Sequence, residues 1–108
     1  MAYYLLQFAY TPQAWAALTH NPQNRLEAVR PVAERLGGRL VSKWFAFGDY
    51  DVVAILEIPD NVSAAAFSMA IASGGAVRSF KTTPLMTMEE GMEAMRRAPV
   101  SHYRSPLN

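Results

Sequence analysis

The run Phe47-Gly48-Asp49-Tyr50-Asp51-Val52-Val53-Ala54-Ile55-Leu56-Glu57-Ile58-Pro59-Asp60 decides the fold, because it joins a tight turn, a buried strand and a helix start. Glycine at the first of two loop positions suits a type II′ hairpin turn at Gly48-Asp49. We therefore predict a hairpin of two strands, over residues 40–47 and 50–58. The polar Asp60 after the proline then caps a helix.

The hairpin register assigns the side chains of both strands to two faces. Counting outward from the turn pairs Phe47 with Tyr50, Phe45 with Val52, and Trp44 with Val53. One predicted face carries Val41, Phe45, Phe47, Tyr50, Val52, Ala54 and Leu56, and the other carries Ser42, Trp44, Asp51, Val53, Ile55 and Glu57. Both faces are partly apolar, so we expect both to be covered.

For the chain before the hairpin, the sequence predicts one strand and two helices. Residues 3–10 are aromatic and aliphatic, which is typical of a strand. Thr11-Pro12 and Asn21-Pro22 each place a capping side chain before a proline, which predicts two helix starts. The second helix should end at Gly37-Gly38, with a kink or a break at Pro31.

After the hairpin we predict a helix over residues 61–72, a strand over residues 76–83 and a last helix. Thr87-Met88-Glu89-Glu90 forms a capping box that opens this last helix. The methionines that follow are interpreted as packing residues, because a terminal helix needs a docking face. We assign residues 1–97 to a single domain and residues 98–108 to an extended tail.

The order of these elements predicts an α+β fold, the ferredoxin-like βαββαβ plait with an extra C-terminal helix. Its antiparallel sheet has the order 4-1-3-2, and both plait helices lie on one face. The other face then needs a partner, which two sheets packed face to face in a dimeric α+β barrel would supply. We expect a homo-oligomer.

Composition limits the function classes. The net charge of the 108 residues is +1 and the basic residues are scattered, which disfavours nucleic acid as a partner. No apolar run is long enough for a membrane span, and the absence of Cys excludes disulfides and thiolate metal sites. We expect a cytoplasmic protein without a membrane partner. Its hydrophobic share of 51% against 18% charged residues favours contact between subunits.

Five residues are candidates for ligand binding: Tyr10, Trp44, Tyr50, Asp51 and Arg78. The aromatic members could line an apolar pocket with hydroxyl contacts, although strand aromatics usually form the core or an interface. Asp51 could be a polar contact or a proton carrier, or it could simply pair with a backbone amide or a basic residue. Arg78 could bind a carboxylate or phosphate, whereas a strand-edge arginine more often protects that edge.

The sequence predicts no cofactor and no metal site. His20 and His102 have no second ligand at metal-binding spacing, so surface imidazoles are the favoured interpretation. The methionines after Leu85 are not interpreted as copper ligands. No nucleophile motif surrounds the serines of the second half of the chain.

The run Phe47-Gly48-Asp49-Tyr50-Asp51 with Pro59-Asp60, Gly37-Gly38 before it and Gly75-Ala76-Val77-Arg78 after it resembles the GYD-domain family. That resemblance implies an α+β plait and no established activity. A looser pattern, which adds Thr82-Thr83, is similar to the ligand-sensing domain of the Lrp/AsnC regulators. It implies small effectors bound between subunits.

Three functions are open at this point. The leading hypothesis is a homo-oligomeric module that binds a small organic ligand at or near a subunit interface. The alternatives are an enzyme of the dimeric α+β barrel type, acting on an aromatic or oxidised small molecule, and a structural assembly protein. In the enzyme, Asp51 or His20 would move a proton while Tyr10 or Tyr50 steers the substrate.

Overall fold

The computed structural model describes residues 1–107 and contains one antiparallel sheet with helices on one of its faces. The strands are β1 (Ala2–Tyr10), β2 (Arg39–Phe45), β3 (Val52–Ile58) and β4 (Val77–Leu85). The helices are α1 (Pro12–His20), α2 (Arg25–Arg35), α3 (Asn61–Ala72) and α4 (Met88–Arg97), followed by a 3₁₀ turn over Val100–His102. The order of the strands is β2-β3-β1-β4, which is the predicted order read from the other edge.

The core lies between the sheet and the helices α1, α2 and α3. Alternate residues of the two central strands point to this side and are buried: Tyr4, Leu6, Phe8 and Tyr10 of β1, and Val52, Ala54, Leu56 and Ile58 of β3. Ala9, where the pairing of β1 with β4 shifts, is buried as well. The helices contribute Leu26, Ala33, Ala64 and Phe67. Period-two alternation in the strands thus places one apolar face against the helix layer, which stabilises the fold by hydrophobic burial.

The opposite side of the sheet carries no helix of the plait, and we call it the open face. The strand pairings assign to it Tyr3, Leu5 and Gln7 of β1, Val53, Ile55 and Glu57 of β3, Ser42 and Trp44 of β2, and Lys81 and Thr83 of β4. Its central aliphatic side chains are only partly covered, and Trp44 is 69% exposed. The prediction of apolar residues on both faces is confirmed.

Most helix ends follow the predicted caps. The side chains of Thr11, Asp60 and Thr87 accept hydrogen bonds from backbone N–H groups of α1, α3 and α4, and the predicted capping box of α4 is complete. The predicted start of α2 at Asn21-Pro22 is wrong, because Asn24 caps the helix three residues later. That later start brings Leu26 into the core.

The helix α2 continues through Pro31, so the alternative of a break at this residue is wrong. The helix ends as predicted, in a turn in which Gly37 has a φ of 82°. The Gly37 N–H donates to the Glu34 carbonyl and the Gly38 N–H donates to the Ala33 carbonyl, at 3.0 and 2.8 Å. This pair of hydrogen bonds is the Schellman motif, which requires a residue in the left-handed conformation, here Gly37.

The predicted type II′ turn at Gly48-Asp49 is wrong. The strands end at Phe45 and begin again at Val52, and Gly48 does not have the positive φ that a type II′ turn requires. A last backbone bond joins the Ala46 N–H to the Asp51 carbonyl at 2.8 Å, and a wide loop follows it. The predicted pairings at Trp44 and Phe45 are confirmed, whereas Phe47 does not pair with Tyr50 and projects into solvent.

The predicted alternation of β2 is interrupted at Val41. The register of β2 shifts between Leu40 and Ser42, so that Leu40 pairs with Leu56 and packs against the core. Val41 lies in the bulge and is 43% exposed. An extra residue in one strand re-phases its alternation, which a hairpin counted from its turn does not anticipate.

We predict that Gly38→Ala lowers the free energy of unfolding by about 2 kcal/mol, which is typical of overpacking. A Cβ at Gly38 would lie 2.5 Å from the Glu57 carbonyl oxygen and 2.8 Å from a side-chain carbon of Ile58. Gly48→Ala is the control, since a Cβ there would meet nothing within 4 Å. Chemical denaturation followed by circular dichroism measures both variants. Equal stability of the two would contradict the close approach at Gly38.

Candidate functional site

A cleft of about 460 Å³ opens where the hairpin end of the sheet meets the segment before α2. Aromatic and aliphatic side chains form its walls. The side-chain amides of Gln23 and Asn24 and the ammonium group of Lys43 supply polar atoms. Its lining residues are Tyr10, Pro22, Gln23, Asn24, Leu26, Lys43, Trp44, Phe45 and Val52. A second hollow of about 450 Å³ continues it towards α1, sharing Pro22, Gln23 and Phe45. This mixture of apolar walls and a few polar groups is typical of small-molecule sites.

Asp51 holds the floor of this region together. Its Oδ2 accepts a hydrogen bond from the Tyr10 backbone N–H at 2.9 Å and another from Trp15 Nε1 at 3.1 Å. Its own N–H donates to the Phe8 carbonyl at 2.9 Å. One residue thus connects the end of β1, the helix α1 and the start of β3.

Two expectations about Asp51 have different outcomes. The interpretation as a carboxylate that pairs with a backbone amide is confirmed. The predicted position on the face of Trp44 and Val53 is wrong for its carboxylate, which reaches the end of β1 and Trp15 instead. Because the carboxylate already accepts two N–H groups and does not line the cleft, it is a positioning group in this structure.

Tyr10 is the last residue of β1 and forms the inner wall of the cleft. It is buried, with its ring edge-on to Trp15 at 5.3 Å and to Phe8 at 5.7 Å between centroids. Burial raises the pKa of the Tyr10 hydroxyl above its ordinary value of 10.0, while the positive charge of Arg25 opposes that change. The hydroxyl therefore remains protonated at neutral pH.

The outer wall of the cleft comes from β2. Trp44 belongs to the open face by its pairing with Val53, and its side chain also lines the rim of the cleft. Lys43 points to the helix side, where its Nζ lies 2.9 Å from Glu27 Oε1. This hydrogen bond is the main cause of a lowered pKa at Glu27. Lys43 therefore brings a positive charge to the cleft.

The structure brings together only part of the predicted ligand-binding set. Tyr10 and Trp44 line the cleft, and Asp51 supports it from below. Tyr50 lies half-buried in the loop after β2, and Arg78 is exposed on the edge strand β4. Neither lines the cleft, so their role in binding stays a prediction.

Sequence reasoning missed several residues of this site, above all Trp15, Lys43 and Phe45. One signal was available for Trp15, because the cap at Thr11 places it one turn into a helix that starts beside the end of β1. For Phe45, the available signal was its predicted pairing with Val52. His20 lies exposed at the end of α1 and does not line the cleft.

A family model described as GYD domain matches residues 4–95. The chain belongs to the GYD-domain family. The match begins in β1 and ends within α4, so it includes the sheet, the cleft and most of the last helix. Among curated proteins, none matches the chain significantly. No helix within residues 1–107 has the length and apolar character needed to cross a membrane.

We predict that Asp51→Ala lowers the free energy of unfolding by about 2 kcal/mol, because two N–H donors lose a charged acceptor. Asp49→Ala is the matched control, since this neighbouring carboxylate is exposed in the loop. Trp15→Phe removes one of the two donors and should couple to Asp51→Ala in a double-mutant cycle. Additive effects of the two substitutions would argue against the bond between them.

We also predict a loss of stability at alkaline pH that depends on Tyr10. A pKa raised in the folded state means that this state holds the phenol proton more tightly than the unfolded chain. The resulting stability is complete below pH 10 or so and disappears as the pH rises through the folded pKa. Tyr10→Phe should flatten the decline of the melting temperature above that pH, whereas Tyr103→Phe, at an exposed position, should leave it unchanged. Identical profiles for the wild type and Tyr10→Phe would contradict this assignment.

Proposed function

We propose that this GYD-domain protein is a self-associating module that binds a small aromatic ligand with an anionic or hydrogen-bond-accepting group. The observation that carries the proposal is the cleft beside Tyr10, where aromatic walls and one ammonium group converge. Its volume of about 460 Å³ lies within the usual range for such sites.

The walls favour a flat apolar ligand. Tyr10, Trp44 and Phe45 present three aromatic rings around the cleft, and Leu26 and Val52 close its floor. Aromatic side chains offer large contact area with little loss of conformational entropy, and they favour stacked or edge-on contacts with a second ring. The exposed fractions of Trp44 and Phe45, 69% and 63%, leave much of this area free to bury.

The ammonium group of Lys43 supplies a positive charge at the cleft. The Lys43 side chain is about one-third exposed in its ion pair with Glu27, so a ligand carboxylate could approach it from the cleft side. Exposed ion pairs of this kind contribute little to stability, so exchanging one carboxylate for another is inexpensive. The amide of Gln23 and the side chain of Asn24 are further polar groups at the opening, and Asn24 is already engaged as the cap of α2.

Self-association follows from the open face. Leu5, Val53 and Ile55 remain only partly covered at the centre of the sheet, and Trp44 extends that apolar surface to the rim of the cleft. Two copies whose sheets face each other, in the manner of a dimeric α+β barrel, would bury this area. The ligand site would then lie next to the subunit interface, because Trp44 belongs to both surfaces.

The ligand is tested with 2-naphthoate and its uncharged amide, 2-naphthamide, by isothermal titration calorimetry. The wild type should bind the acid about fivefold to tenfold more tightly than the amide, since only the acid pairs with Lys43. Lys43→Met should remove that preference, and Arg35→Met, at an exposed position at the end of α2, is the control for loss of positive charge. Glu27→Gln should strengthen binding of the acid up to fivefold, because Lys43 loses its competing partner.

Four results would each contradict a different part of the proposal. Equal affinities of the wild type for acid and amide would remove the role of Lys43. Phe45→Ala with unchanged affinity would remove the cleft as the site. No binding of either probe would favour the structural assembly protein over a ligand-binding module. Sedimentation velocity that finds only monomers at all concentrations would remove the self-association.

A further inference from the structure

The helix α4 stands away from the rest of the molecule. None of its residues is buried, although it follows directly on β4 of the sheet. The Cα radius of gyration is 17.5 Å, against about 13 Å expected for a compact chain of this length, and the longest extent is 59 Å. The C-terminal segment is therefore an arm that the body of its own chain does not cover.

The arm is nonetheless built to pack against something. Met88, Met92 and Met95 recur at helical spacing on one side of α4, and they are 83%, 51% and 75% exposed. The other side carries charges, with Glu93 paired to both Arg96 and Arg97. An isolated helix of ten residues is marginal in water even when it is well capped, so its apolar side needs a surface.

The chain itself offers a surface of matching character, the open face of the sheet. Leu5 and Ile55 lie paired at its centre, and Arg39 and Lys81 stand at its two edge strands. Lys81 complements Glu89, which flanks the apolar side of α4. Arg39 is already paired with Glu57, and Glu93 is paired within α4. The arm also starts near this side of the sheet, because Leu85 pairs with the open-face residue Tyr3 three residues before α4 begins.

We propose that α4 crosses to a second copy of this chain and packs its methionine side on that copy's open face. This proposal rests on the self-association proposed above, and it places the partner's α4, instead of the partner's sheet, against the open face. A two-fold arrangement exchanges both arms, so each copy gives one helix and receives one, and the assembly closes as a dimer. The family match extends to Met95, so the arm is part of the domain rather than an appendage.

Two other occupants fit the charges less well. A membrane surface would meet Glu89, Glu90 and Glu93 on the polar side of α4, and anionic headgroups repel such a helix. The outer side of α3 is also exposed and apolar, with Val62 and Met69, but residues 61–77 contain no charged side chain to pair with the arm. Both alternatives are outcomes of the test below.

The first experiment measures dimerisation of the full chain by sedimentation equilibrium. Met88→Gln, Met92→Gln and Met95→Gln together keep helix-forming side chains of similar length but remove the apolar contact. We expect the dimer Kd to rise at least about 100-fold, since three partly buried methionines lose their hydrophobic stabilisation. Glu93→Gln with Arg97→Gln, which removes an ion pair within the polar side of α4, is the control, and it leaves the net charge at +1. Its Kd should change less than about threefold.

The second experiment locates the surface that receives the arm. The chain has no cysteine, so two single-cysteine variants can be mixed and joined with a short bismaleimide. Met92→Cys mixed with Ile55→Cys should give a mixed dimer, because one copy's arm lies on the other's open face. Met92→Cys mixed with Ala65→Cys, on the exposed side of α3, should not.

The results separate this inference from the proposed function. A dimer that persists in the triple glutamine variant would overturn the role of α4 and leave the sheet-to-sheet contact in place. Mixed dimers through Ala65 instead of Ile55 would overturn the choice of surface. A wild type that is monomeric at all concentrations would overturn both the inference and the self-association, as would a monomer in which α4 binds only anionic vesicles.

Discussion

A four-stranded sheet with apolar side chains on both faces and plait helices on only one is the constraint on which this structure depends. β1 and β3 alternate buried residues such as Leu6 and Leu56 with partly covered ones such as Leu5 and Ile55. The helices α1 to α3 cover the buried residues. The partly covered residues have no partner within the described residues of the chain, and neither does the methionine side of α4. The open face of one copy and the methionine side of α4 of another could therefore cover each other in an assembly of identical chains, without any further component.

The site depends on a more local interaction. Asp51 fixes the start of β3 against the end of β1 and the side chain of Trp15, so a charged group defines the geometry of an otherwise aromatic corner. The two hydrogen bonds that its Oδ2 accepts tie the end of β1 and the helix α1 to the start of β3. These contacts are those of a positioning residue, and a role of Asp51 in binding or proton transfer stays a prediction.

Local signals in the sequence were sufficient for the strands, their order and most helix ends. Caps such as Thr11 and Asp60 act within three residues, so their effect is visible without knowing the fold. The start of α2 was wrong because Asn21 and Asn24 are both competent caps, and the choice falls to the one that brings Leu26 into the core. The turn at Gly48 was wrong and the bulge at Val41 was not anticipated, because Asp51 and the pairing of β2 act through contacts that are distant in sequence.

Only those residues of the candidate site that lie on predicted strands could be found from the sequence. Tyr10 and Trp44 were found because they lie on strands whose register could be counted. The same register places Lys43 on the helix side, opposite Ala54, but its place at the cleft depends on Glu27 and on the segment before α2, which are distant in sequence. The position of Trp44 also connects the two proposals physically. It belongs to the open face by its backbone pairing and to the cleft by its ring, so a second copy that covers the open face would change the exposure of this ring and the shape of the cleft rim. Ligand binding and assembly are therefore expected to be thermodynamically coupled, with each strengthening or weakening the other by the same factor.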